Sequence, residues 1–341
     1  MTKAELIYHD DGAALFEHGR LVEYIKNPPP NSLSVGAICL ARITQLFPKQ
    51  KRGQCQLPTG EVASFRLDNT QTYLSGALIW VTLTAMPRQH KPWQAESGIS
   101  RAGRLIVLHH AMDEVRVSHK AKGAIDDTII AKVRAALPDG WGAVLKRASA
   151  AATAEMIQDE IAALLAPLTL PLDSGSHPDA PSCLYQGDSP QVMLSIAAPD
   201  ATVRYDDEAA LWDEIEDAAY EAAERDILLA NGARLSFEAT QALLAVDVDS
   251  GTSKLGPLGL ARATAPEIMR IIRLASYSGV IVIDMPRLAF KDMAVILDEM
   301  RDLAQNDIRH PDILGVSRAG LIEMIVRHRL APLSARLSAD K

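Results

Sequence analysis

The chain has 341 residues, 48% of them apolar and 23% charged, and carries a formal net charge of −8. That composition excludes a disordered, fibrous or disulfide-stapled protein and allows two or three packed domains. Only Cys39, Cys55 and Cys183 occur, none at the two- to four-residue spacing of a zinc knuckle, so no zinc is expected.

The opening MTKAELIYHDDGAA lacks the apolar centre of a signal peptide, and no later window reaches the roughly 18 uninterrupted apolar residues of a membrane span. A cytoplasmic protein with no membrane partner is expected. Residues 4–26 alternate apolar and polar around Asp11-Gly12 and His18-Gly19, which predicts two or three short strands. Pro28-Pro29-Pro30-Asn31-Ser32 cannot continue a ladder and reads as a linker. From 35 to 86, short β-rich runs separated by Gly, Pro, Asn and Lys predict a small barrel of the OB type. Over 35–104, nine Lys and Arg stand against three acids, a composition suited to a single-stranded nucleic acid. Phe65, Trp80 and Trp93 are the aromatics available for stacking, and a core role suits the first two equally well.

A strand over 104–109 leads into helices over 126–137 and 153–165, with a strand over 141–145 between them. Residues 171–190, rich in Pro, Ser, Gly and Asp, read as a loop. An acidic helix is predicted over 208–230, buried through Leu211, Ile215, Ala218, Ala219 and Ala222. Eleven acids between 200 and 226 face only Arg204 and Arg225, so a polyanion would meet the first and last thirds of the chain and avoid the middle.

The last hundred residues carry the chemistry. Leu243-Leu244-Ala245-Val246 is apolar on both faces, suits a strand buried under helices, and ends in Asp247-Val248-Asp249-Ser250-Gly251. An amphipathic helix over 265–277 turns Ile268, Ile271, Ile272 and Ala275 to one side, with Arg270 and Arg273 elsewhere, and Gly279 closes it. A second apolar run, Val280-Ile281-Val282-Ile283, ends in Asp284. Strand, helix and strand in that order predict a right-handed crossover between parallel strands, with both aspartates at carboxyl ends; if the strands are neighbours they lie about 4.8 Å apart, so the two carboxylates can approach closely. Adjacent carboxylates repel, and a divalent ion resolves the repulsion; oxygen ligands suit Mg²⁺ or Mn²⁺, which can activate water at a phosphodiester. An Asp after a strand is also a common turn former, and that reading stands beside the first.

Arg318 and Glu323 fall where a strand over 313–317 is expected to pass into a helix, either as a phosphate contact or as a strand-exit salt bridge. Lys254, Arg262, Arg287 and Lys291 read as phosphate contacts or as solvated cations. No Walker loop or G-x-G-x-x-G occurs.

The segments FEATQALLAVDVDSG, GVIVIDM and SRAGLIEMIVRHRL resemble the RNase E/G family of bacterial endoribonucleases. The resemblance implies a multi-domain α/β chain. Such a chain would contain an RNase H-like subdomain split over 1–34 and 186–236, an OB-fold RNA-binding barrel at 35–112, a sensor of the RNA 5′ monophosphate at 113–185 and a DNase I-like subdomain at 237–341. It implies Mg²⁺ on Asp247 and Asp284, and it puts Asp249 where the family has an asparagine that orients the site. Phe65 matches an RNA-stacking aromatic, Gln56 stands where another would be, and Lys91 matches a basic RNA contact. The sensor's Arg-Thr pair falls on Lys146-Arg147, which would hold a phosphate by charge without the forked geometry.

The implied activity is Mg²⁺-dependent cleavage of single-stranded RNA to a 5′ phosphate and a 3′ hydroxyl, with Arg318 near the scissile phosphate. Three departures accompany it: a shorter loop between the aspartates, Met285-Pro286-Arg287 in place of an acidic continuation, and no zinc-link cysteines before Lys341. The last implies a monomer or a metal-free homodimer. The alternative is an RNA-binding or ribosome-associated protein that keeps the fold without cleaving, and a third reading is a hydrolase of small phosphoesters.

Overall fold

The computed structural model describes residues 4–68, 72–88, 91–168, 179–305, 307 and 309–338. The chain divides into two units, Met1–Asn27 with Met193–Lys341, and Pro28–Val192. The mixed α/β class expected from the sequence holds in both.

The first unit opens with an antiparallel meander of β1 (Ala4–His9), β2 (Gly12–Glu17) and β3 (Arg20–Lys26). His18 and Gly19 join β2 to β3 with positive φ of 53° and 74°, the backbone that matches the twist of a hairpin.

In the second unit, β4 (Ile38–Phe47), β5 (Arg52–Gln56), β6 (Val62–Arg66), β7 (Leu78–Ala85) and β8 (Trp93–Ser97) close into a barrel. The strands run β4-β5-β6-β8-β7 and return to β4, with β6 and β8 parallel. Cys39, Ala41, Cys55, Ala63 and Val81 keep the interior small enough to be filled by Phe65 and Trp93. This is the small barrel that the spacing predicted. Beyond it, β9 (Ser100–Ala102), β10 (Ile106–His110), β11 (Val115–Val117) and, after helix α1 (Asp127–Ala136), β12 (Trp141–Leu145) form a sheet of order β11-β12-β10-β9. Helix α2 (Ala154–Leu165) packs on it through Ile157, Ile161 and Leu164. Asp126 and Thr153 cap the two helices by accepting from the Thr128 and Met156 N–H groups.

The loop expected over 171–190 lies outside the described residues up to 178. After it, β13 (Ser182–Tyr185) is a strand paired with β4, because a β-favouring tetrapeptide interrupts the Pro- and Gly-rich run, and Pro190 starts helix α3 (Pro190–Ala197).

In the remainder of the first unit, β14 (Thr202–Tyr205) pairs parallel with β1. The acidic helix expected over 208–230 is α4 (Ala209–Ala222), which stops eight residues early, because Asp226–Leu228 forms strand β15. Its inner face is Trp212, Ile215, Ala219 and Ala222, while Ala218 is exposed. Trp212 takes that place because its indole stacks on the His9 ring, 4.8 Å between centroids.

Then β16 (Arg234–Ala239), β17 (Leu243–Asp249), helix α5 (Pro257–Leu274), β18 (Gly279–Asp284), helix α6 (Phe290–Gln305), β19 (Asp312–Val316), β20 (Ile322–Val326) and helix α7 (Leu333–Ser338) complete a six-stranded sheet of order β15-β16-β17-β18-β20-β19. The expected crossover is present: β17 and β18 pair in parallel across α5.

Four expectations need correction. Helix α5 begins eight residues before 265, since Pro257 sits in the first turn where a missing N–H is harmless, and Pro266 within the helix obscures the upstream pattern. The helix ends at Leu274, and Ser276, in the left-handed region with φ of 55°, closes it in place of Gly279. Arg273, expected away from the buried side, is itself buried, its guanidinium held by Glu17 and Glu23 at 2.8 and 2.7 Å. The helix expected after 317 is a tight turn, in which the Gly320 N–H donates to the Ser317 carbonyl, leading straight into β20.

A further correction concerns the sheet faces. Leu244, Val246, Ile281, Ile283, Ile322 and Met324 share a core with α5 and α6, but the opposite face of the strands is open. Asp247, Asp249, Val280, Asp284 and Ile325 are exposed on it. The apolar runs are therefore covered on one side only. Among the described residues, no helix is long and apolar enough to cross a membrane.

Candidate functional site

The two-residue period of β17 decides where its acids point. Val246 and Val248 face the core, so Asp247 and Asp249 emerge on the open face. In β18, Ile281 and Ile283 face the core and Asp284 emerges likewise. The register sets Asp247 directly opposite Asp284 on the neighbouring parallel strand, a separation of about 4.8 Å between strands. The crossover thus brings together two carboxylates that are 37 positions apart in the chain, at the carboxyl ends of their strands.

Their electrostatics follow from that placement. Partial burial, then the charges of Asp284 and Asp249, push the Asp247 carboxyl above the usual carboxylate range, against an opposing contribution from the Val248 N–H. Asp249 is turned toward its own loop, where Oδ1 accepts from the Gly251 N–H at 2.8 Å. That is the turn-forming reading of an aspartate after a strand, and it applies to Asp249. Among the described residues, no group of three or more His, Cys, Asp and Glu is arranged to hold a metal ion. The pair Asp247 and Asp284 is an all-oxygen donor set with two exposed carboxylates, which suits a hard cation that keeps much of its water.

A cavity of about 920 Å³ begins at Asp284. Its walls include Arg287 and Leu288 after the strand, Phe290 at the start of α6, and Ser317 and Gly320 of the β19–β20 turn. Arg318 is exposed in that same turn. Glu323 lies in β20 opposite Val282 rather than in a helix. Phe290 is 94% exposed, the most open large apolar side chain among the described residues, and sequence reasoning missed it. The signal was available: it lies off the Ile296, Met300 and Ala304 stripe that buries α6. Of the other cations considered, Arg262 is paired with Glu299 at 3.0 Å on the helix surface.

The remaining site residues expected from the sequence belong to the second unit. Phe65 is 2% exposed, inside the barrel, with its ring 5.6 Å from that of Tyr73. So placed, it offers no face to a base and takes the core role that was its other reading. Trp93 is also buried, its indole N–H donating to Glu61 at 2.9 Å. Lys91 is exposed in the β7–β8 loop, bridged to Arg88. Lys146 is half-buried and donates to the Gly103 carbonyl, while Arg147 next to it is exposed at the start of a 3₁₀ turn.

Residues 193–330 match the family model described as Ribonuclease E/G family. Among curated proteins, the chain is 27% identical over 240 residues to the Ribonuclease E of Haemophilus influenzae, an alignment covering 58% of this chain and 25% of that protein. It is 25% identical over 307 residues to the chloroplastic Ribonuclease E/G-like protein of Arabidopsis thaliana, covering 74% and 29%. With the Ribonuclease E of Escherichia coli it shares 24% over 236 residues, covering 58% and 22%. The chain spans about a quarter of the length of these curated relatives.

Proposed function

Through residues 193–330 this chain belongs to the Ribonuclease E/G family, and from that premise we propose that it is an endoribonuclease cutting single-stranded RNA with the help of Mg²⁺. The observation that carries the reading is the register of Asp247 against Asp284 on an open sheet face beside a large cavity. In this reading the two carboxylates hold the ion, which when bound supplies a Lewis acid and a more acidic water. Mn²⁺ would fit the same oxygen donors.

The chain's own side chains do the rest. Arg287 in the cavity wall and Arg318 in the adjoining turn neutralise the phosphate, and each guanidinium presents paired donors to its oxygens. Phe290 offers the exposed ring on which a base beside the scissile bond can stack. Asp249, tied to its turn, keeps the loop after β17 in place and adds negative charge near Asp247. Attack by water with the 3′ oxygen as leaving group gives a 5′ phosphate and a 3′ hydroxyl. We read the sheet of β1–β3 and β14 as the RNase H-like part, the barrel as the RNA clamp with Lys91 among its contacts, the β9–β12 layer with Arg147 as the 5′ sensor, and the six-stranded sheet as the DNase I-like part.

The test is cleavage of an A/U-rich single-stranded RNA with and without Mg²⁺, by the wild type and by Asp247→Asn. Mg²⁺-dependent products that disappear in a normally folded Asp247→Asn protein are expected. No cleavage by the wild type, or equal cleavage by the variant, would end the reading. A second reading is a non-catalytic RNA-binding protein of the same fold. It is favoured by the engagement of Asp249 with Gly251 and predicts binding indifferent to Mg²⁺.

A further inference from the structure

A second cavity, of about 30 Å³, lies in the first unit, and four of its lining residues are arginines: Arg273, Arg309, Arg327 and Arg329. It is separate from the carboxylate pair. Val326, just before Arg327, is opposite Gly279 at the start of β18, whereas Asp284 ends that strand, a distance of roughly 17 Å along a strand rising about 3.3 Å per residue.

Two of the arginines are committed to the fold. Arg273 is clamped by Glu17 and Glu23, and Arg309 pairs with Asp307 while donating to the Ile272 and Tyr277 carbonyls at 3.1 Å. The other two are not. Among the described residues, neither Arg327 nor Arg329 has an ion pair or a side-chain hydrogen bond. Both line the cavity, while His328 between them is turned to Ser278, 3.0 Å from its hydroxyl. Behind the cavity, Arg336 donates to Ser276 Oγ at 3.1 Å. A hydroxyl that accepts there still has its own hydrogen to give, and Ser276 lines the cavity. Four guanidinium groups and the Glu23 carboxylate line the cavity, and Glu17 and Asp307 pair with Arg273 and Arg309 from outside that lining, which leaves one positive charge in excess, with Arg336 a further cation behind Ser276.

Unpaired guanidinium forks with a hydroxyl donor, in a space sized for one small group, have the chemistry of an oxyanion receptor. We infer that this cavity binds a single phosphate group on Arg327, Arg329 and Ser276, with Arg273 and Arg309 as fixed positive walls. The group could be free phosphate or one phosphodiester of a nucleic acid strand, since both present tetrahedral oxygens. The inference stands whether or not the chain cleaves RNA.

The test is a thermal-shift titration of the full chain, without divalent ions and at ionic strength held constant with chloride. The probes are inorganic phosphate and, separately, a dinucleoside monophosphate. A saturable rise in Tm with the wild type is expected, with at least tenfold weaker binding in Arg327→Gln/Arg329→Gln. A response to both probes would identify a nucleic-acid backbone as the source, and a response to inorganic phosphate alone would identify the free anion; either supports the site. If the double variant does not fold, Arg327→Gln alone, at an exposed position, serves the same comparison. No saturable shift with either probe, or unchanged binding by a folded variant, would overturn the proposal.

Discussion

Phe65 and Phe290 divide between them two roles that a phenylalanine can play. Phe65 fills the barrel so closely that a Cβ on Gly53 would stand 2.4 Å from its ring, which is why the facing strand carries glycine there. Phe65→Ala is expected to cost about 3–5 kcal/mol in denaturant unfolding, while Phe65→Leu keeps RNA affinity. Phe290 touches little of the core, so Phe290→Ala should leave the unfolding midpoint unchanged and weaken RNA binding by about 1–3 kcal/mol, measured by titration of a labelled strand. If a folded Phe65→Leu protein lost RNA affinity and Phe290→Ala did not, the two assignments would have to be exchanged.

Buried arginines fasten the elements of the first unit. Arg273 joins α5 to β2 and β3. Burial works against its charge, but Glu23 and Glu17 outweigh it and the guanidinium is held firmly protonated. Arg273→Ala would leave two carboxylates without their cation, and a loss of about 3–5 kcal/mol in unfolding free energy is expected. A loss below 1 kcal/mol would show the pair to be solvated in solution. Asp307 tethers the segment between α6 and β19. Burial would raise its pKa, yet the hydrogen bond and charge of Arg309 prevail and hold it below the usual range. A depressed folded pKa contributes stability above the ordinary aspartate pKa of about 3.9 and loses it as pH falls through the folded value. Asp307→Asn should therefore melt lower than wild type at pH 7, with the gap closing below about pH 4. A gap that widened on acidification would contradict the assignment.

Charge is distributed unevenly over the molecule. The net −8 is concentrated on the surface of α4 and its flanks, while the barrel unit begins with a basic segment from 35 to 104 and the first unit gathers arginines after β18. Net charge is then a poor guide to polyanion binding, because release of counterions depends on the cations at the contact. RNA affinity is expected to fall with salt in spite of the acidic total, by about tenfold or more between 50 and 200 mM if three phosphates are contacted. A filter-binding series at fixed RNA would measure the slope, and a flat series would mean that the basic surfaces do not meet the strand.

The chain's own letters determined whatever depends on near neighbours. Alternation fixed β1–β3, the helical spacing of apolar residues fixed α1 and α2, and two apolar runs ending in aspartate fixed a crossover with Asp247 and Asp284 at its tips. Letters near in sequence do not say what lies on the far side of a strand or ring. Tertiary structure alone decided that the β17–β18 sheet leaves one face open and that Phe65 points inward while Phe290 points out. It also made Arg273 an internal clamp, and it replaced an expected helix by a hairpin whose turn, with Arg318 exposed in it, borders the cavity beside Asp284. The physical reason is that burial, pairing and register are set by groups scores of residues away, and a side chain's chemistry follows its surroundings.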